Sequence, residues 1–253
     1  KDKEINIIAG HWDIYKDLIL PPGFIINSSP GTQLNLKNGA SIVSYSPLNF
    51  FGAESNPIVI QSEDGKGKGV VVLNTGDSAS KFYHVIFQNL AKPEGLGWNL
   101  TSAVTFYESD VHFDNSIFLN NRDSDDALNI FRSNFSIKRS KFTHLFADAI
   151  DIDYSKGNIT NVLFKDCGTE DKNGDCLDIS GSTVNLSRIF IDGASDKALS
   201  IGEKSSVIAK NISISNSTIA VASKDSSEIF LEDLSIRTSS FAFAAYQKKL
   251  EFG

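Results

Sequence analysis

Four short segments between residues 126 and 201 nearly repeat, and this repeat constrains the fold more than any other feature of the chain. They span residues 126–130, 148–152, 175–179 and 197–201, and each ends in an apolar–polar–apolar alternation. Their first residues lie 22, 27 and 22 positions apart, and related segments begin at Ser102, Thr218 and Ser240. A strand-like segment that recurs about every 22 residues is typical of a solenoid, in which each coil packs against its neighbours.

Two further apolar positions recur in every coil. One forms a ladder at Phe87, Phe118, Phe142, Phe164, Ile191, Ile214 and Ile236, and the other lies seven residues earlier at Val111, Phe135, Val184, Val207 and Ile229. Three short strands per coil predict an all-β fold, the right-handed parallel β-helix, because the coil itself supplies the crossover that parallel strands need. Two residues after the ladder, the sequence predicts bends with left-handed backbone at Asn89, Asn120, His144, Asp166, Gly193, Asn216 and Thr238.

The chain of 253 residues is interpreted as one β-helix domain, residues 1–253. Residues 1–60 fit the repeat poorly and are expected to form atypical capping coils, and residues 80–245 form regular coils. A chain that starts at Lys1 without a charged and apolar leader is expected to have had any signal peptide removed or excluded. Because an open solenoid end exposes unpaired strand edges, we expect the chain to belong to a longer polypeptide with additional domains.

The charge and the hydropathy exclude two classes of partner. The formal net charge is −7, whereas nucleic-acid binding needs clustered Lys and Arg against the phosphate backbone. The sequence has no apolar run of about 18 residues, so no transmembrane segment is expected.

Cys167 and Cys176 bracket the insertion that lengthens one coil spacing to 27 residues. They either form a disulfide that closes this insertion, as in an oxidising compartment, or are two small residues. In the second case Cys176 occupies the position that Ala127, Ala149 and Ala198 hold in the other coils.

Strand alternation predicts which side chains of the repeat face outward. With the Leu and Ile residues in the core, Asn129, Asp151, Asp178 and Ser200 should point to solvent, followed on the same face by Asp153 and Ser180. Rungs lie about 4.8 Å apart, so Asp151 and Asp178 are expected to be near neighbours. Small residues beside them would leave a shallow trough, with Asp126, Asp148 and Asp175 at its edge.

Clustered carboxylates repel one another unless a proton, a cation or sugar hydroxyl groups are shared between them. The sequence therefore predicts catalytic residues at Asp148, Asp151, Asp175, Asp178 and Lys197, substrate-binding residues at Asn129, Tyr154, Ser180 and Ser200, and a Ca²⁺ site at Asp151, Asp153 and Asp178. For proton abstraction by a lyase or an epimerase, the candidate bases are Lys197, Lys156, Arg132 and Tyr154. Trp98, Tyr107 and Tyr154 are candidates for stacking on sugar rings. The alternative is that the aspartates only satisfy backbone donors at turns.

Part of the repeat resembles the polygalacturonase-like glycoside hydrolases, which share the β-helix fold. Residues 146–151 (Phe-Ala-Asp-Ala-Ile-Asp) are similar to the family's Asn-Thr-Asp motif, which places Asp148 at its carboxylate. Residues 173–177 resemble its Gly-Asp-Asp motif, with Asp175 at one carboxylate and Gly174 at the other, and Lys197 stands where its His is expected. The resemblance implies carbohydrate chemistry on this face.

Residues 199–203, 221–225 and 245–249 resemble β-helix modules of bacterial surface proteins, some of which accompany CotH-type domains. Together these features predict an extracellular or cell-surface domain that binds a polysaccharide, or also cleaves it as a lyase, an epimerase or a hydrolase. The competing hypothesis is a non-catalytic scaffold or adhesion module.

Overall fold

A computed structural model describes residues 3–95 and 98–252, with only the backbone described for residues 98 and 99. The described residues are almost entirely β-structure, followed by one short 3₁₀ helix, Leu250–Phe252. The strands are β1 Lys3–Ile7, β2 Gly10–Ile14, β3 Leu18–Leu20, β4 Phe24–Ser28, β5 Thr32–Leu36, β6 Ile42–Ser44, β7 Leu48–Phe51, β8 Ile58–Gln61, β9 Val70–Tyr83, β10 Val85–Gln88, β11 Glu94–Gly95, β12 Trp98–Asn99, β13 Ser102–Asp114, β14 Ile117–Leu119, β15 Asp126–Phe131, β16 Asn134–Lys138, β17 Lys141–Leu145, β18 Asp148–Asp153, β19 Lys156–Cys167, β20 Leu177–Ser180, β21 Thr183–Gly202, β22 Ser206–Lys224, β23 Glu228–Arg237 and β24 Phe241–Tyr246.

The strands pair in parallel from coil to coil and build three sheets along one axis, as a right-handed parallel β-helix of about 10 turns. Sheet 1 contains β3, β6, the starts of β9 and β13, then β15, β18, β20, the ends of β21 and β22, and β24. Sheet 2 runs from β1 through β16 to the start of β23, and sheet 3 runs from β2 through β17 to the end of β23. The predicted fold is confirmed.

The core is a set of stacked side chains, one per coil. The phenylalanine ladder of sheet 3 is fully buried, with ring centroids 4.5 Å apart between Phe118 and Phe142 and 5.2 Å apart between Phe142 and Phe164. At Gly157 a Cβ atom would lie 2.6 Å from the Phe135 ring, so a glycine on this rung leaves room for the larger side chain on the rung before it. Burial of these apolar side chains is the main driving force for the fold.

The bends that follow the phenylalanine ladder have the predicted left-handed backbone. The φ angles are 57° at Asn89, 54° at His144 and 56° at Asp166, which confirms His144 as a bend residue. A second left-handed column, which the sequence reasoning missed, lies between sheets 2 and 3 at His84, Asn115, Arg139, Asn161, Arg188, Asn211 and Asp233.

The first coils use the same three sheets as the later ones. Successive sheet 1 partners are Leu18, Ile42, Val70 and Val104, which lie 24, 28 and 34 residues apart along the chain. Unequal loops therefore hide the repeat in the sequence of residues 1–60, although the rungs are in register. Within the described ranges, the structure has no helix of the length and apolarity that a membrane span requires.

Candidate functional site

Six aspartates lie together on the outer surface of sheet 1, and we call this surface the acidic face: Asp126, Asp148, Asp151, Asp153, Asp175 and Asp178. The rungs align as predicted, since Asn129 pairs with Asp151, Asp151 with Asp178, and Asp178 with Ser200. Asp126 pairs with Asp148, and the Asp175 N–H donates to Asp148 Oδ1 at 2.7 Å. Two columns of carboxylates thus run side by side along the axis.

The sequence predicted small residues beside the outward carboxylates, which would leave a shallow trough, but these small side chains point inward. Ala127, Ala149, Cys176 and Ala198 belong to the hydrophobic core. Two consecutive core residues, such as Ala149 and Ile150, interrupt the strict alternation at the start of each strand. This irregularity brings Asp148 and Asp175 onto the same side as Asp151 and Asp178, so the two acidic columns merge into one patch.

The acidic face is also less open to solvent than predicted. Ser200 is fully buried and Asn129 is 9% exposed, because polar side chains lie along the sheet and cover one another. The Asn129 amide donates to Asp151 Oδ2 at 3.2 Å and to Asp153 Oδ2 at 3.0 Å. Lys224 passes over Gly202, and its Nζ donates to Ser200 Oγ at 2.7 Å.

Lys224 is a site residue that the sequence reasoning missed. It is 5% exposed, and its Nζ lies 3.6 Å from Asp178 Oδ1. Among the described residues, that buried oxygen has no hydrogen-bond partner. The signal was present in the register, since Lys224 follows Asp153, Ser180 and Gly202 in one outer column.

Burial makes most of these carboxyl groups weaker acids than usual. Burial and the neighbouring Asp175 raise the pKa of Asp148 to about 9. Burial raises the pKa of Asp126 to about 7, although the Ser102 hydroxyl opposes the shift by donating to the carboxylate. The pKa values of Asp151 and Asp153 are raised by burial as well. The acidic face therefore holds protons at neutral pH in the absence of a cation.

Asp175 differs because a lysine lies beside it. Lys197 Nζ donates to Asp175 Oδ1 at 3.3 Å, and the Lys197 N–H donates to the same oxygen at 2.8 Å. Burial raises the pKa of Asp175 to about 6, and Lys197 limits the rise. Burial alone would lower the pKa of Lys197, but Asp175 and Asp196 raise it above its ordinary value. A lysine that holds its proton so firmly is favoured as a counter-ion over a general base.

Three of the carboxylates have a spacing that fits a metal ion. Oxygens of Asp148, Asp175 and Asp178 all lie within 4.8 Å of one another. Ca²⁺ binds hard oxygen ligands at 2.3–2.6 Å, so one ion can reach all three. Asp178 belonged to the predicted Ca²⁺ set, whereas its two close partners here are Asp148 and Asp175 rather than Asp151 and Asp153.

The remaining predicted residues border the acidic face or lie away from it. Ser180 follows Asp153 in the same outer column. The two rungs before Asp153 carry the stacked rings of Tyr107 and Phe131, whose centroids are 4.9 Å apart. The Tyr154 ring is 50% exposed and lies over Gly181, and its hydroxyl donates to Glu203 Oε2 at 3.3 Å.

Three further residues were predicted as candidate bases, Tyr154, Arg132 and Lys156, and Trp98 was predicted to stack on sugar rings. The negative charge of Glu203 raises the pKa of Tyr154, which therefore stays protonated. Arg132 lies over the Phe131 ring, and Lys156 pairs on sheet 2. The predicted stacking role of Trp98 concerns a side chain outside the described residues.

The two cysteines form a disulfide with a Cα–Cα distance of 5.5 Å. The disulfide interpretation is therefore correct, and Cys176 is in addition fully buried at the position that Ala149 holds in the preceding coil. The bond closes a loop that contains Asp175, one of the three carboxylates that lie close together.

Replacing both cysteines by alanine is expected to lower the free energy of unfolding by about 3 kcal/mol, because the bond restricts a short loop in the unfolded chain. Urea denaturation of the two proteins under oxidising conditions measures the difference. Equal midpoints for the variant and the wild type would show that the bond does not stabilise the fold.

Known proteins resemble this chain only distantly. No family model matches the chain, and no curated protein sequence does. Among solved structures, the Agl-KA catalytic domain is 14% identical with a TM-score of 0.41, over 96% of this chain and 62% of that chain. Alginate lyase from Paenibacillus sp. str. FPU-7 is 12% identical with a TM-score of 0.46, over 90% and 92%. Pectate lyase Pel9A is 15% identical with a TM-score of 0.38, over 91% and 78%. All three similarities are distant, with TM-scores below 0.5.

Proposed function

We propose that the acidic face binds a polysaccharide that lies along the axis of the β-helix. The observation that carries this proposal is the outer column Tyr107–Phe131–Asp153–Ser180, in which apolar rings and hydrogen-bonding groups follow one another on consecutive rungs. A sugar chain presents the same combination of apolar C–H surface and hydroxyl groups. Asn129, Asp151 and Asp178 lie in the adjoining column and supply further donors and acceptors.

The charge of the face determines which sugars bind under which conditions. A neutral polysaccharide can accept hydrogen bonds from the protonated Asp148 carboxyl and donate to the ionised groups. A uronate polymer is repelled by the remaining carboxylates unless Ca²⁺ binds at Asp148, Asp175 and Asp178 and bridges to it. The bound ion would supply positive charge to neutralise the uronate. We therefore expect neutral sugars to bind without Ca²⁺ and acidic sugars to require it.

Calorimetric titration is expected to show saturable binding to the wild type and at least tenfold weaker binding to Asp151→Asn/Asp178→Asn. A hydrogen bond contributes about 0.5–1.5 kcal/mol between neutral groups and about 1.5–3 kcal/mol to a charged group, and a tenfold change corresponds to about 1.4 kcal/mol. The panel comprises neutral gluco-, galacto- and manno-oligosaccharides and oligogalacturonates, each with Ca²⁺ and with EDTA.

The matched control is Glu228→Gln/Glu232→Gln, which removes two exposed carboxylates from sheet 2 and should bind like the wild type. Equal binding by the wild type and the Asp151/Asp178 variant, or no binding by either, would contradict the proposal. The domain would then be a non-catalytic scaffold whose aspartates cap its turns.

Cleavage of the bound polysaccharide is a second candidate function. The environments of Asp148 and Asp175 separate their pKa values to about 9 and about 6, as expected of a general acid and its ionised partner. Their oxygens lie within 4.8 Å, which is shorter than the roughly 6.5–9.5 Å of inverting glycosidases. If cleavage occurs, these two groups are the acid and the nucleophile that we would assign.

A further inference from the structure

Sheet 3 carries an apolar stripe on its outer surface, away from the acidic face. One outward position recurs on ten successive rungs as His11, Gln33, Val59, Ile86, Ile117, Lys141, Leu163, Phe190, Ser213 and Ser235. The rungs at both ends are polar, whereas five of the six central rungs are apolar. Outward positions of a solvated sheet are usually polar, so the central stripe needs a separate explanation.

The stripe is the floor of a groove. A concavity of about 460 Å³ contains Ile86 and Ile117, and one of about 310 Å³ contains Leu163 and Phe190. The two share Asn115, Arg139 and Lys141, so they form one groove. At about 4.8 Å per rung, the four steps from Ile86 to Phe190 make it about 19 Å long.

Cations outnumber anions in the lining of the groove, although the protein is acidic: Arg139 and Lys141 line it together with one carboxylate, Glu54, at the Ile86 end. Lys141 is exposed at its centre, and Arg188 lies two rungs beyond Arg139 in the bend column at its side. Among residues 3–95 and 98–252, neither Lys141 nor Arg188 is within 4.0 Å of an acidic side chain, whereas Arg139 pairs with Asp114. With a net charge of −7 for the chain, two unneutralised cations beside an apolar stripe indicate an anionic occupant.

The shape and the chemistry of the groove select among anionic occupants. A β-strand cannot be added here, because each central strand already pairs with the rungs before and after it. The floor is mainly aliphatic, with Phe190 as its single ring, which offers little to the faces of sugars. An α-helix repeats every 5.4 Å, close to the rung spacing, so a helix along the axis can place about one side chain on each rung.

We propose that the sheet 3 groove docks an acidic amphipathic helix of a partner protein. Apolar residues on successive turns of that helix lie between Ile86 and Phe190, and carboxylates at its flanks pair with Lys141 and Arg188. At 1.5 Å per residue, about 13 helical residues fill the groove. This proposal does not depend on the polysaccharide site.

The test uses a fluorescein-labelled designed helix of roughly four turns, with leucine on one face and glutamate on its flanks, in anisotropy titrations against the wild type. We expect saturable binding that weakens as salt is raised. We also expect at least tenfold weaker binding to Lys141→Glu and to Ile117→Ser/Leu163→Ser, the latter carrying the residue found at position 213. Lys210→Glu makes the same charge change on sheet 2 and should leave binding unchanged.

Each opposing outcome overturns the proposal. A scrambled peptide of the same composition that binds equally well would show that the contact is non-specific, and unchanged binding to Lys141→Glu would place the contact elsewhere. Binding of oligogalacturonate but not of the helix, sensitive to Lys141→Glu, would assign the groove to an acidic glycan. Circular dichroism confirms that each variant is folded.

Discussion

Replacing Asp148 by asparagine is expected to stabilise the protein above neutral pH. It should also lower the number of protons released on unfolding by about one. The pKa of Asp148 is about 9 in the folded protein, against an ordinary value of 3.8. A carboxyl group whose pKa is higher in the folded state stabilises that state. This contribution is complete at pH values below the pKa of the unfolded state, and it is lost as the pH rises through the pKa of the folded state. Between the two values, the free energy of unfolding falls by about 1.4 kcal/mol per pH unit for this group. Asparagine cannot ionise, and its oxygen can still accept from the Asp175 N–H.

Urea denaturation in EDTA across about pH 4.5 to 9 measures this effect. The two proteins should be similar at the acidic end and diverge steadily above it, with the variant more stable. Asp192→Asn is the matched control, since hydrogen bonds from Asn216 and Ser215 lower the pKa of Asp192. The ionised Asp192 carboxylate stabilises the folded protein at pH values above its pKa in the unfolded state. Its variant should therefore be no more stable than the wild type at alkaline pH. An unchanged slope in Asp148→Asn would show that Asp148 is ionised in the folded protein.

The repeat made sheet 1 predictable because a parallel β-helix converts sequence spacing directly into contact. With 22 residues between equivalent positions in regular coils and alternating side chains, the Asn129–Asp151–Asp178–Ser200 column followed without any tertiary information. The 27-residue coil did not disturb it, because the insertion lies in a loop closed by the disulfide.

What the sequence could not predict are features that depend on side-chain direction and on irregular backbone. The inward turn of Ala149 breaks the alternation rule at the point where the strand begins, and the rule alone placed this residue outside. Lys224 reaches Ser200 because Gly202 leaves room for its stem. The burial that raises the carboxyl pKa values arises from such contacts, so the protons of the acidic face were not accessible to sequence reasoning.

Replacing Lys197 by methionine is expected to cost about 3 kcal/mol of stability at about pH 8, because it leaves a buried carboxylate without its counter-ion. The Asp175 side chain is 6% exposed and its salt-bridge partner Lys197 is 12% exposed, so water compensates little for the lost charge. The pKa of Asp175 should then rise above its present value of about 6. Since a raised carboxyl pKa favours the folded state at low pH, the loss should shrink as the pH falls towards 5 and Asp175 is protonated.

The companion variant Lys197→Arg retains the charge and should retain most of the stability at about pH 8. Thermal unfolding of the wild type and both variants at about pH 5 and pH 8 gives the change in stability of each variant at each pH. A counter-ion role predicts a pH-dependent loss in Lys197→Met and a small loss in Lys197→Arg. Equal stability of all three proteins at both pH values would contradict this role. In that case Asp175 would be protonated or bound to a cation in the wild type, and Lys197 would be free to serve the chemistry of the acidic face.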